Sequence, residues 1–282
     1  MSALRVVKGH GTENDFVLVP DLGGELDLGA DLVRALCDRH SGVGADGVLR
    51  IVRSEHHPEA AGQSAPFFMD YRNADGSVAE MCGNGVRVFA RWLQREGLVG
   101  EECAVATRGG VKTVRFEADA TISVGMGEPR LLEASPRVSA HGFEGTGRAL
   151  EIPNPHVVVP VATRDVLAGL DLSTPPVVQP ALPSGQNVEF VLRTGDRHIA
   201  LRVHERGVGE TRSCGTGICA AVVASALGDG VTRGDGQPWQ VDVPGGTCWV
   251  TWHADGAVDL RGPAVLVADL VLDDEWLAHA ES

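Results

Sequence analysis

The chain has 282 residues, 43 % of them apolar, with a mean hydropathy of +0.00 and a formal net charge of −14. That is the profile of a globular protein of about two domains at ~150 residues each. No apolar run reaches the ~18 residues of a membrane span, the start Met1-Ser2-Ala3-Leu4-Arg5 lacks a signal-peptide core, and the acidic balance argues against nucleic acid or an anionic membrane as partner.

Short strands dominate the first half. Leu4–Val7, Asp15–Val19, Val48–Val52 and Phe67–Tyr71 read as strands, and Leu28–Arg39 has the spacing of a helix. Asn73-Ala74-Asp75-Gly76-Ser77 is a turn. A helix follows Met81-Cys82-Gly83-Asn84-Gly85, with Asn84 as its expected N-cap and Gly97 as its stop. Strands are expected near Ala104–Thr107, Val111–Phe116 and Thr121–Val124. In the second half, strands near Val188–Leu192 and His198–His204 precede Ser213-Cys214-Gly215-Thr216-Gly217. A helix from Ile218 to Leu227 follows, with Thr216 as N-cap and Gly228 as stop.

These halves repeat each other. Cys82-Gly83-Asn84-Gly85 matches Cys214-Gly215-Thr216-Gly217, Gly109-Gly110 matches Gly245-Gly246, Ala118-Asp119 matches Ala254-Asp255, and Gly127-Glu128-Pro129 matches Gly262-Pro263. Four matches in order predict an internal duplication with a seam near Pro129–Ala140. The expected halves are 1–128, joined by 264–282, and 129–263, with the active site in the cleft between them.

Several motifs carry no chemistry. Gly42-Val43-Gly44-Ala45-Asp46-Gly47 fits the dinucleotide pattern, but a helix precedes it and a strand follows, the reverse of what pyrophosphate binding needs. No C-x-x-C or paired histidine spacing points to a metal. Only Lys8 and Lys112 could form a pyridoxal-phosphate Schiff base, so no cofactor is expected. Six dispersed cysteines are too few for a disulfide scaffold. They are expected as reduced thiols in a cytoplasm. Cys37, Cys103, Cys219 and Cys248 read as apolar filler.

Cys82 and Cys214 differ, because each precedes a helix start flanked by glycines. Unpaired N–H donors there favour a thiol acidity shifted toward neutrality and can hold a carboxylate. Two equivalent thiols flanking one small carboxylate suit a racemase or epimerase. One thiolate removes the α-proton and the opposite thiol protonates the other face.

Asn14-Asp15-Phe16, Asn73-Ala74-Asp75-Gly76-Ser77, Met81–Arg87, Asn154-Pro155-His156, Glu205–Thr211 and Cys214-Gly215-Thr216-Gly217 together resemble the diaminopimelate epimerase family, from Lys8 to about Pro263. The resemblance implies an α+β fold of two pseudo-symmetric halves, each a strand-rich barrel-like sheet wrapping a central helix. It implies cofactor-independent interconversion of L,L- and meso-diaminopimelate in lysine and peptidoglycan precursor synthesis. By position, Cys82 resembles the proton donor and Cys214 the acceptor. His156 and Glu205 resemble residues that tune the thiols. Asn14, Asn73, Gly83, Asn84, Asn154, Asn187, Glu205, Arg206, Gly215 and Thr216 resemble substrate binders. Glu13 departs from the glycine usual before Asn-Asp-Phe, Gly47 from a substrate-contacting glutamine, and His204 from a common tyrosine. Ala268 takes the place of a tyrosine linked to dimerisation, so a homodimer stays open. The alternatives are a proline racemase or hydroxyproline epimerase of the same fold, and a thiol-switch binding protein.

Overall fold

The computed structural model describes residues 4–280. It forms two compact units, one made of residues up to Val124 together with those from Pro263 onward, the other of Gly125–Gly262. Among the described residues no helix is long and apolar enough to cross a membrane.

In chain order the elements are β1 (Arg5–Gly11), β2 (Asn14–Pro20), α1 (Ala30–Cys37), β3 (Gly47–Arg53), β4 (Phe67–Asn73), α2 (Gly83–Arg95), β5 (Glu102–Ala106), β6 (Lys112–Phe116) and β7 (Ile122–Gly127). The next are β8 (Arg130–Leu131), β9 (Arg137–Ala140), β10 (Phe143–Thr146), β11 (Arg148–Ile152), β12 (Asn154–Val161), α3 (Arg164–Gly169), β13 (Val177–Gln179), β14 (Asn187–Gly195), β15 (His198–Glu205) and β16 (Gly209–Thr211). The second unit closes with α4 (Gly215–Gly228), β17 (Pro238–Val243), β18 (Gly246–Trp252) and β19 (Val258–Gly262). The chain then returns to the first unit as β20 (Val265–Val271) and α5 (Asp274–Ala280).

Strand pairing shows the duplication. In the first unit β1–β2 is antiparallel, β2–β3 parallel, β3–β4 antiparallel, β4–β5 parallel and β5–β6 antiparallel. The second runs β11–β12, β12–β14, β14–β15, β15–β17 and β17–β18 in the same senses. Register agrees as well: Phe16 faces Gly47 across β2–β3, and His156 faces Asn187 across β12–β14. Asn14 therefore corresponds to Asn154, Phe16 to His156, Asp46 to Gln186, Gly47 to Asn187 and Leu49 to Glu189.

In each unit the strands pack around a central helix. α2 packs against β1, β2, β3, β5, β6 and β20, and α4 against β11, β12, β14, β15, β17, β18 and β19. Gly-Thr-Gly-Ile-Cys-Ala-Ala-Val-Val-Ala at the start of α4 is apolar nearly all round, as a helix enclosed on every side must be. Both helices end in the same way. Gly97 at φ +69° sends its N–H to Gln94 O while Leu98 N–H reaches Leu93 O. Gly230 at φ +83° repeats this with Leu227 O, and Val231 with Ala226 O. These are Schellman stops, so the second stop is Gly230, and Gly228 is the last helical residue.

Sequence analysis assigns no element between 130 and 187, where short strands, α3 and a three-stranded sheet (β10, β9, β13) lie. The β1–β2 connection has a different lesson. Thr12 and Glu13 lie at φ 51° and 60°, a two-residue turn with both residues left-handed. That is why glycine suits position 13, since a residue with a Cβ pays ~1–2 kcal/mol there. Glu13→Gly is expected to stabilise the protein by about 0.5–1 kcal/mol net of the flexibility glycine adds, read as a higher urea midpoint.

Candidate active site

Neither helix is capped as expected. Cys82 and Cys214 themselves occupy the N-cap positions of α2 and α4, so Asn84 and Thr216 are second residues of their helices, not caps. Cysteine is outside the usual capping set, which is why sequence favours the oxygen-bearing residue nearby. Cys82 Sγ accepts from Gly85 N–H at 3.5 Å. Cys214 makes no such cap bond, and the Thr216 hydroxyl lies 3.4 Å from its sulfur. The third residue of α2 thus serves sulfur. The N–H groups of Gly83, Asn84, Gly215 and Thr216 have no intrahelical acceptor by position and suit a carboxylate.

In the first unit Cys82 is half-buried and donates to Asn14 Oδ1 at 3.5 Å. Asn84 Nδ2 donates to the same oxygen at 3.2 Å, and Asn14 Nδ2 donates to Asp46 Oδ2 at 2.8 Å. Arg87, wholly buried inside the barrel, donates to Asn84 Oδ1 at 2.9 Å, Thr12 Oγ1 at 3.3 Å and Pro263 O at 3.3 Å. Asn73 stands apart from this network, its Nδ2 on Ser77 Oγ at 3.0 Å in its own turn. Gly47 begins β3 against Arg72 O and Tyr71 Cε2, which an added Cβ would meet at 2.5 and 2.8 Å. Restoring the family glutamine by Gly47→Gln is therefore expected to cost about 2–3 kcal/mol by overpacking and to bring no gain in substrate affinity. A thermal melt and a KM measurement check this.

In the second unit Cys214 is buried, with Thr216 Oγ1 at 3.4 Å and the Asn187 Nδ2 donor at 3.8 Å. Arg206 N–H donates to Asn187 Oδ1 at 2.9 Å, which turns the amide NH₂ toward sulfur. The Arg206 guanidinium holds Ser184 O. Glu205 accepts from the Thr211 hydroxyl, and its carboxylate bears on the Cys214 thiol. His156 and Glu189 form a fully enclosed pair, Nδ1 to Oε1 at 2.7 Å, while His156 Nε2 lies 3.2 Å from Asn154 Oδ1.

Electrostatics reverse one expectation. Burial, then the Glu205 and Glu189 carboxylates, push the Cys214 thiol well above its usual value, and the Thr216 hydroxyl and Gly217 N–H only partly oppose this. The helix start does not bring this thiol to neutrality. Burial also raises Glu205, with Glu189 adding to it and His156 opposing. Burial pushes Cys37 to about 12 and Cys103 to about 11, so neither is a reactive thiol.

Sequence reading missed Asp46, Arg87 and Glu189. Superposing the two halves residue by residue exposes the last: Phe16 and Leu49 stand where His156 and Glu189 stand. Among the described residues no group of three or more His, Cys, Asp or Glu side chains could hold a metal.

Curated relatives are the diaminopimelate epimerases of Streptomyces coelicolor, 54 % identical over 96 % of both chains, and of Thermobifida fusca, 50 % identical over 94 % of this chain and 97 % of that one. Among solved structures, a phenazine biosynthesis protein of the PhzF family from Bacillus anthracis has a TM-score of 0.71 at 16 % identity, covering 97 % of this chain and all of that one. A hydroxyproline epimerase from Agrobacterium vitis has a TM-score of 0.65 at 15 % identity, covering 99 % and 98 %. At those identities the structures share the fold alone. The family profile described as diaminopimelate epimerase matches residues 6–132 and 148–267, and with relatives at this identity and coverage the chain belongs to the diaminopimelate epimerase family.

Proposed function

We propose that the protein interconverts L,L- and meso-diaminopimelate by a two-base mechanism, in the cytoplasmic synthesis of lysine and peptidoglycan precursors. The observation that carries this is the pair of cysteines at the N-caps of two duplicated central helices, in a chain of this family. Cys214, once its own proton has passed to the Glu205 carboxylate beside it, takes the α-proton as the Cys82 thiol delivers its own to the opposite face. The reverse reaction exchanges these roles. Charge developing on the α-carboxylate is met by the N–H groups of Gly83, Asn84, Gly215 and Thr216. Asn14, Asn73, Asn154, Asn187, Glu205 and Arg206 bind the ammonium and carboxylate groups, and His156 and Glu205 tune the thiols. The acid–base groups are all the chain's own, so no added cofactor enters the scheme. A second copy as partner is supported by Val265, Val267 and Val271, which β20 leaves exposed.

The test is isotopic. In D₂O, L,L-diaminopimelate should become the meso isomer with one deuterium at the inverted α-carbon, in dialysed, chelator-treated protein. Inversion of L-proline instead, or activity restored only by pyridoxal phosphate or a divalent metal, would overturn the reading.

A further inference from the structure

Cys82 and Cys214 face amides turned opposite ways, and in the first unit two otherwise unassigned residues decide the turn. A carboxylate can only accept hydrogen bonds and a guanidinium can only donate. Arg87 Nη2 donates to Asn84 Oδ1, which leaves the Asn84 NH₂ to donate to Asn14 Oδ1. The Asn14 NH₂ then donates to Asp46 Oδ2, a carboxylate also held by Asp15 N–H at 3.2 Å and Arg39 Nη2 at 2.8 Å. Every bond from Arg87 to Asp46 therefore has one permitted direction. Reversing either amide would set donor against donor or oxygen against oxygen.

The outcome is that Cys82 faces a carbonyl oxygen, which can only receive its proton. Cys214 faces an amide turned the other way, the Asn187 NH₂, and stands beside the Glu205 and Glu189 carboxylates as well. The fold does not demand the first arrangement, because the duplicated positions hold Gln186 in place of Asp46, Thr216 in place of Asn84 and Cys219 in place of Arg87.

We infer that Asp46 and Arg87 are positioning residues that polarise the Asn84–Asn14 amide pair and so hold Cys82 in the thiol form. This rests on the two-thiol reading above. On delivering its proton to the α-carbon, the Cys82 S–H bond breaks and its electron pair stays on sulfur. Asn14 Oδ1 keeps the Asn84 donor in that step, so the wire survives turnover.

Reactivity of the substrate-free protein tests the inference. The double variant Asp46→Asn/Arg87→Gln gives both ends of the wire groups that can donate or accept, which frees the Asn84–Asn14 pair to reverse and turn the Asn14 NH₂ toward Cys82. Iodoacetamide at pH 7, followed by peptide mapping, should then modify Cys82 about ten-fold faster than in the wild type, because the thiolate is the reactive species. The rate at Cys214 should not change. Arg87→Lys keeps a donor-only group and should show no acceleration. An equal Cys82 rate in wild type and Asp46→Asn/Arg87→Gln overturns the inference. Should the variant not fold, neutron diffraction on wild-type crystals decides. Deuterium on Asn14 Nδ2 directed at Asp46 and on Cys82 Sγ directed at Asn14 supports it, and Asn14 deuterons directed at Cys82 overturn it. Neither readout needs turnover, so a wild type lacking epimerase activity would sink the functional reading and leave this one standing.

Discussion

Cys82→Ala and Cys214→Ala should each lower epimerisation by about 10³-fold or more, measured as meso-diaminopimelate formed from the L,L isomer. General acid–base groups contribute ~10²–10⁴-fold, and removal of either thiol leaves one face of the α-carbon without its acid or base. The expected loss is symmetric in the two directions of reaction, because each thiol serves once as donor and once as acceptor. Cys219 and Cys248 supply the control. Both are buried, one in α4 and the other in β18. Replacing either by alanine removes a small buried apolar group and should cost about 1–2 kcal/mol of stability, with turnover kept in the folded fraction. Loss of activity in a folded Cys219→Ala protein, with Cys82→Ala still active, would move the catalytic site elsewhere.

The duplication and the two cysteine-bearing helices were legible because glycine-flanked helix starts and Gly-Gly turns are local backbone requirements, written directly into residue type. The N-caps were not, since Asn84 and Thr216 outrank cysteine as capping residues and the competition is settled by tertiary placement of the sulfur. Four strands of the segment from 130 to 187 hid behind brevity: β8 has two residues, β13 three and β9 and β10 four each, too few for period-2 alternation to register. Buried charge was the other blind spot. Glu189, between Val188 and Phe190 in β14, reads as the outward residue of an alternating strand, yet its side chain is wholly enclosed. Arg87 reads as the polar face of α2, yet it points into a helix surrounded by sheet. A charge buried this way must be paired, and pairing partners from distant strands are invisible to periodicity.

Comparison of the halves turns that blind spot into a separable test of structure and function. Phe16 and Leu49 pack beneath α2 as His156 and Glu189 do beneath α4. An added Cβ on Gly85 would meet Leu49 Cδ2 at 3.3 Å, and one on Gly217 would meet Glu189 Oε1 at 2.6 Å. The apolar pair shows that the fold needs volume at this place, not charge. A buried hydrogen-bonded pair exchanged for apolar residues of similar size can be nearly neutral or stabilising, whereas removal of one partner leaves the other unsatisfied and costs ~1–3 kcal/mol. Glu189→Leu alone should therefore destabilise the protein by about 1–3 kcal/mol, since it strands His156. The double variant His156→Phe/Glu189→Leu should recover the wild-type melting temperature or exceed it. Its epimerase activity should nonetheless stay down by about 10²-fold or more. The double variant removes the ring whose Nε2 lies against Asn154 and the Glu189 carboxylate that acts on Glu205 and Cys214. A double variant that melts as early as the single one would show the pair to be structural. One that keeps full turnover would remove His156 from the catalytic scheme and leave Glu205 to tune Cys214 alone.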